Sequence, residues 1–171
     1  IGIDLLPSDD VDICADVFTV FERLEDNVVE LIFSHHFVEH VTDLSRLLYE
    51  SARVLKPGGK FIATVPHFSN PYYYSDYTHK NFFGLYTFQY FCPKRYFYRV
   101  VPSYNSNLNL EIEDIQILFG AERPFYFKYL IGKLKNRLFN ISKLTKEYYE
   151  VNLSRILPCT ELKVILVKNN D

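Results

Sequence analysis

Over the first half of the chain, short unbroken apolar runs alternate with stretches of helical period. That alternation predicts strands paired in parallel across helical crossovers. The opening Ile1-Gly2-Ile3-Asp4 reads as the end of an apolar strand that finishes on a carboxylate, with Pro7 soon after. "VELIFSH" (29–35) is a buried strand ending in polar residues. "DLSRLLYESARVL" (43–55) sets Leu44, Leu47, Leu48, Ala52 and Leu55 on one helical face, with Asp43 as N-cap and "KPGG" (56–59) as the stop. "KFIATVPH" (60–67) is the next strand, reached by a right-handed crossover.

The second half is patterned differently. Thirteen of the 27 residues from Tyr72 to Tyr98 are Tyr or Phe, and neither strand nor helix period runs through them. "EIEDIQILF" (111–119) returns to strand composition. Phe127, Leu130, Ile131, Leu134, Leu138 and Ile141 have the spacing of an amphipathic helix. "ELKVILVK" (161–168), after Pro158, reads as a closing strand. One domain over 1–171 is expected, with an aromatic insertion at 68–100 and a helical insertion at 125–157.

Composition narrows the class without changing it. With 48% hydrophobic and 23% charged residues the chain is an ordinary globular one. No apolar run approaches the ~20 residues that span a bilayer. Cys14, Cys92 and Cys159 form no metal-ligand or CxxC pattern, so reduced, buried thiols and a cytoplasmic location are expected. Charge is uneven: residues 1–50 hold 12 Asp+Glu against 2 Lys+Arg, while the remainder holds 9 against 17. An acidic first third argues against a nucleic-acid surface there. The sequence contains no Met, which implies a piece of a longer product.

One order of motifs is specific. Asp4 at a strand end, Asp16 in "CADVF", then "ELIFSHHFVEHV" and "LLYESARVLKPGGKFIATVP" resemble class I S-adenosylmethionine-dependent methyltransferases of the small-molecule type 11 group, over about residues 1–67. "NPYYYSDYTHKNFFGLYTFQYF" (70–91) is similar, more weakly, to a variant from bacterial surface-polysaccharide gene clusters. The resemblance implies a doubly wound, Rossmann-like α/β fold with a mostly parallel sheet and an antiparallel last strand. It implies S-adenosylmethionine as cofactor, with Asp4 on the ribose hydroxyls and Leu5 beside the adenine. Asp16 and Val17 would meet the adenine amino group and a ring nitrogen, and Ser34 and His35 the methionine end. The family's glycine-rich loop follows a first, central strand. The six glycines here form no G-x-G. An arrangement lacking that strand would leave backbone groups unpaired at ~1–3 kcal/mol each, so roughly 30–60 residues preceding Ile1 are expected.

The implied chemistry is methyl transfer to a small acceptor, most plausibly a sugar hydroxyl in polysaccharide biosynthesis. Such a hydroxyl must lose its proton, which His does well near neutral pH. All five histidines fall at or after predicted strand tips. The expected base is His36 or His79, with Asp76 as an alternative base or orienting group. His36, Glu39 and His40 share one face of a helical turn and could ligate a metal. The reading taken is that this turn caps and packs, with no metal. Most of the aromatic run is assigned to core, with Tyr73, Tyr74 and Tyr77 facing the acceptor. The basic helical region is read as a solvated face whose apolar stripe packs on the sheet, contact with an anionic membrane being the alternative. Two other functions are compatible with the residues: a non-catalytic domain that binds a protein partner, and a nicotinamide-dependent oxidoreductase. The second is disfavoured by the closing strand "ELKVILVK".

Overall fold

The computed structural model describes residues 1–102, 104, 108–120 and 126–170, with backbone alone for 126–129. Two sheets form. Strands β1 (Ile3–Asp4) and β2 (Ile13–Cys14) pair in parallel. Strands β3 (Val29–His35), β4 (Leu55–Pro66), β5 (Leu110–Leu118) and β6 (Glu161–Lys168) make a second sheet in the order β3-β4-β6-β5. β3 and β4 run in parallel, and β6 lies antiparallel between β4 and β5. This is the mostly parallel α/β sheet with an antiparallel last strand that was expected, and three of its four strands begin within a residue of their predicted limits.

Helix α1 (Val17–Phe21) follows β2, and α2 (Leu44–Val54) joins β3 to β4. Asp43 caps α2 by accepting the Arg46 amide, and Leu44, Leu47, Leu48 and Ala52 are buried against the sheet, as the period required. The helix stop departs from expectation. Leu55 is not helical; its backbone is already extended, and Lys56–Gly59 bulge inside β4, whose register jumps from Val29↔Leu55 to Leu31↔Lys60. A glycine C-cap is not needed because neighbours take the last carbonyls. Asn27 and Val28 amides donate to Arg53 and Val54, and the Lys168 ammonium donates to Leu55 at 2.8 Å. Gly58 serves the bulge instead, at φ 76°.

The aromatic stretch 68–100 is built of turns and short 3-10 segments rather than regular structure. Phe83, Leu85, Phe88 and Phe97 are fully enclosed and extend the core beyond the end of β4. Beyond β5, α3 (Tyr126–Phe139), α4 (Lys143–Tyr148) and a π-helical turn (Tyr149–Leu153) lead to β6. Residue 125 and the side chains of Phe127 and Lys128 lie outside the described residues.

The orientation of α3 reverses the amphipathic expectation. The helix docks by Gly132, Asn136 and Phe139, Phe139 packing on Phe119 and Tyr149. Asn140 bridges the open edge of β5, its Oδ1 accepting the Ile117 amide and its Nδ2 donating to the Ile117 carbonyl. Asn136 accepts the Phe119 amide one turn earlier. Buried Gly132 passes so close that a methyl group there would stand 2.5 Å from the Phe119 carbonyl oxygen. An edge strand has unpaired backbone groups to satisfy, and amide side chains at i and i+4 do so where leucines could not. The leucine stripe is therefore left facing solvent.

Candidate active site

Asp4 stands exposed at the end of β1, and its Oδ1 accepts the Leu6 amide at 2.8 Å, closing an Asx turn. The register pairs Asp4 with Cys14, so Asp16 follows two residues beyond the same edge of the neighbouring strand. Asp16 is the N-cap of α1 and accepts the Phe18 amide through Oδ1. In both carboxylates the second oxygen has no hydrogen bond among those described, which suits each to a ligand's hydroxyl or amino group. Leu5 is exposed, and half-buried Val17 packs on the core at the helix start. Cys14, expected to be buried, is exposed, because both residues of two-residue β2 lie open to solvent; its thiol donates to the Leu5 carbonyl.

Ser34 and His35 end β3. Ser34 is buried and its hydroxyl finds no partner among the described residues, so an unsatisfied polar atom lies at the strand end where the methionine moiety of a nucleoside cofactor was placed. His35 is exposed beside it. His36 then takes a left-handed backbone conformation at φ 49°. This aims its ring between two carboxylates: Nδ1 lies 3.0 Å from Glu39 Oε1 and Nε2 2.9 Å from Glu161 Oε1. Partial burial works against the charged ring, but these two carboxylates outweigh it and raise the pKa. A carboxylate at each ring nitrogen favours the charged form of His36. That fits a tie between β3 and the start of β6 better than the general base expected of it. Glu161, 125 residues away, could not be placed there by local pattern.

His40, Asp76, Thr78 and His79 come together as one chain of contacts. His40 Nδ1 meets the Thr78 hydroxyl at 2.9 Å, and that hydroxyl donates to Asp76 Oδ1 at 2.6 Å. The Thr78 hydroxyl and amide hold the exposed Asp76 carboxyl below the usual carboxylate range. His79 Nδ1 donates to the Tyr73 carbonyl at 2.9 Å, while its Nε2 lies 3.6 Å from Asp76 Oδ2. The loop is fastened to the turn after β3 by Lys80 and Asn81 amides donating to the Glu39 carbonyl. Glu39 itself is buried, with Oε2 unpartnered. By spacing, His35, His36 and Glu161, or Glu39, His40 and His79, could hold a divalent ion.

Tyr73 corrects the acceptor-facing expectation. It is 2% exposed, its hydroxyl donates to the Asn81 carbonyl, and its ring packs on His79 and Phe82. Tyr74 and Tyr77 are exposed. His67 is fully buried, between Ser69 Oγ at 2.7 Å and Glu150 Oε2 at 2.8 Å. Burial opposes its charge, but contacts with Cys159 and Glu150 prevail and raise its pKa to about 9. It joins the π-helical turn to the end of β4. A hollow of about 340 Å³ bordered by Asn27, Tyr49, Arg53 and Lys168 lies at the opposite end of the strands and contains none of these residues.

Comparison with known proteins bears on the fold. The family model described as a methyltransferase domain matches residues 6–63. A crystal structure of a SAM-dependent methyltransferase from Archaeoglobus fulgidus superposes with a TM-score of 0.57 at 20% identity, covering 98% of this chain and 75% of that one. A protein assigned as a methyltransferase from Bacillus halodurans C-125 gives 0.55 at 15% identity, covering 100% and 81%. The 4+2 cyclase SpnF gives 0.53 at 14%, covering 96% and 58%. At such identities the likeness is one of fold, and the cyclase shows that the fold accommodates more than one chemistry. No curated protein sequence matches this chain.

Proposed function

We propose that this chain, a class I S-adenosylmethionine-dependent methyltransferase domain by its fold and its family match, methylates a hydroxyl of a small acceptor, a sugar of a surface polysaccharide being the acceptor class that fits best. The observation that carries the assignment of the cofactor end is the pair Asp4 and Asp16. Asp4 ends one of two parallel strands and Asp16 lies just past the end of the other, each with one carboxylate oxygen uncommitted. Ligands in open α/β sheets bind outside those strand ends. Asp4 holds the ribose hydroxyls, with Leu5 against the base. Asp16 and the Val17 amide take the adenine edge. Ser34 and His35 line the methionine end, where the orphaned Ser34 hydroxyl gains a partner.

S-adenosylmethionine, when bound, supplies a methyl group already activated by its sulfonium. The protein's task is then to align the acceptor and remove its proton. His79 is the base. Its Nδ1 proton is committed to the Tyr73 carbonyl, so in the neutral ring Nε2 is the unprotonated nitrogen. As that nitrogen takes the acceptor's proton, Asp76 Oδ2 at 3.6 Å offsets the charge that develops. His36 positions the turn after β3, and exposed Tyr74 and Tyr77 offer ring faces to a sugar. No metal takes part in this reading.

The test is calorimetric titration with S-adenosylhomocysteine, NAD and buffer, followed by methyl-transfer assays on nucleotide-linked and free sugars. Binding of S-adenosylhomocysteine alone and methylated sugar product are expected. Binding of NAD alone would overturn the reading in favour of an oxidoreductase, and no binding at all in favour of a partner-binding domain.

A further inference from the structure

Surface helices ordinarily bury their apolar stripe and wet their polar side. Helix α3 does the reverse. Gly132, Asn136 and Asn140 face β5, and the stripe Leu130, Leu134, Leu138 stands outward at i, i+4, i+8, exposed by 64%, 68% and 53%. Ile131 flanks it on one side, and exposed Ile141 and Leu144 continue the apolar surface past the helix end. Among the described residues nothing covers this stripe, since the contacts that hold α3 are made on its other side by Gly132, Asn136, buried Phe139 and Asn140.

The exposed charges of the segment that carries it are of one sign. From Leu130 to Ile156 the only acidic residues are Glu147 and Glu150. Both are turned inward: Glu147 accepts the Tyr98 and Arg99 amides, and Glu150 accepts the Leu85 amide and contacts His67. Arg137, Lys143 and Arg155 are exposed in the same segment, and Arg137 borders the leucine stripe. The outward side of this segment is thus leucine and isoleucine beside cations, with Glu111 and Glu113 of β5 standing only at its far margin, near Lys143.

We infer that α3 is a docking surface for an anionic lipid bilayer, lying in the plane of the interface with Leu130, Leu134 and Leu138 inserted at the boundary of headgroups and acyl chains. The charge pattern selects this occupant. A second copy meeting the same face about a two-fold axis would bring Arg137 and its neighbours against their own symmetry mates. Lipid phosphates instead complement the cations while the acyl region takes the leucines. No helix among the described residues is long and apolar enough to cross a membrane, and α3, about 21 Å long at 14 residues, suits lying on one. This inference does not depend on the methyl-transfer reading, because its readout is binding.

The experiment is flotation of the purified protein with phosphatidylcholine vesicles containing roughly 30% phosphatidylglycerol, against phosphatidylcholine alone, with light scattering of the lipid-free protein. Wild type should float with the anionic vesicles only and lose binding in high salt. L134D/L138D and R137E/K143E should each lower partitioning about tenfold or more while keeping the circular dichroism of wild type. Leu134→Trp should show a blue-shifted emission on adding anionic vesicles. Wild type that does not float, variants that float equally, or a dimer that L134D/L138D converts to monomer without any vesicle binding would each overturn the inference.

Discussion

The Nδ1–H of His79 is aimed at the carbonyl of Tyr73, 2.9 Å away, so a backbone atom of the aromatic loop decides which nitrogen of the ring can accept a proton. Asp76 lies near the other nitrogen, and the His40–Thr78 contact holds Asp76 in turn. The His79 ring is thereby set in one tautomer before any ligand arrives. His79→Ala should lower kcat by about 10²–10⁴ with S-adenosylhomocysteine affinity unchanged. His79→Gln, which keeps a donor to Tyr73 but cannot take a proton, should be equally slow. Steady-state kinetics beside calorimetry would show the split, and an unimpaired Gln variant would remove His79 from the mechanism.

Asp4 makes one local hydrogen bond, to the Leu6 amide, and is otherwise open. Asp4→Ala should therefore weaken S-adenosylhomocysteine binding about tenfold to a hundredfold, the loss of charge-assisted hydrogen bonds to a diol. The melting temperature without ligand should barely move. A variant binding as tightly as wild type would refute the ribose assignment.

Stability should fall as pH rises from neutral. His67 has a raised folded pKa, about 9, so its stabilising contribution is complete below the unfolded value near 6.5 and is lost as pH rises through 9. His36, also raised, acts with the same sign. Urea denaturation at pH 6.5 and 9.5 should show lower stability at the higher pH. His67→Gln should flatten that difference.

The edge of β5 depends on two amides of α3. Asn140→Ala leaves the Ile117 amide and carbonyl without their partner, for a loss of about 1–3 kcal/mol in denaturant unfolding. Gly132→Ala should push α3 off the strand, since its methyl would meet the Phe119 carbonyl. Equal stability in both variants would show that other contacts hold the helix.

Strands were legible wherever an apolar run was bounded by polar or turn residues, but their burial was not. Expected to be buried, β3 leaves Leu31 and Phe33 exposed because it is an edge strand of its sheet. β3 and β6 appear over the residues their composition predicts. Helix α2 was legible for a similar reason: one cap residue and one stripe, both local. The candidate site was half legible. Asp4 and Asp16 are marked by their place after strands. Glu161 is not, since only the antiparallel return of β6 between β4 and β5 carries it to His36. Tyr73 and Tyr77 have the same composition around them, yet one is core and the other surface.

From order and spacing alone come the α/β class, the strand-end carboxylates and the set of histidines gathered at one edge, since each depends on residues close together in the chain. The tertiary structure decides which histidine nitrogen is open, which tyrosine is buried, and which face of α3 looks outward. Those outcomes follow from the unpaired backbone edge of β5 and the packing of a loop on a distant turn. Hydrogen-bond partners brought together by folding, rather than hydrophobic period, settle them.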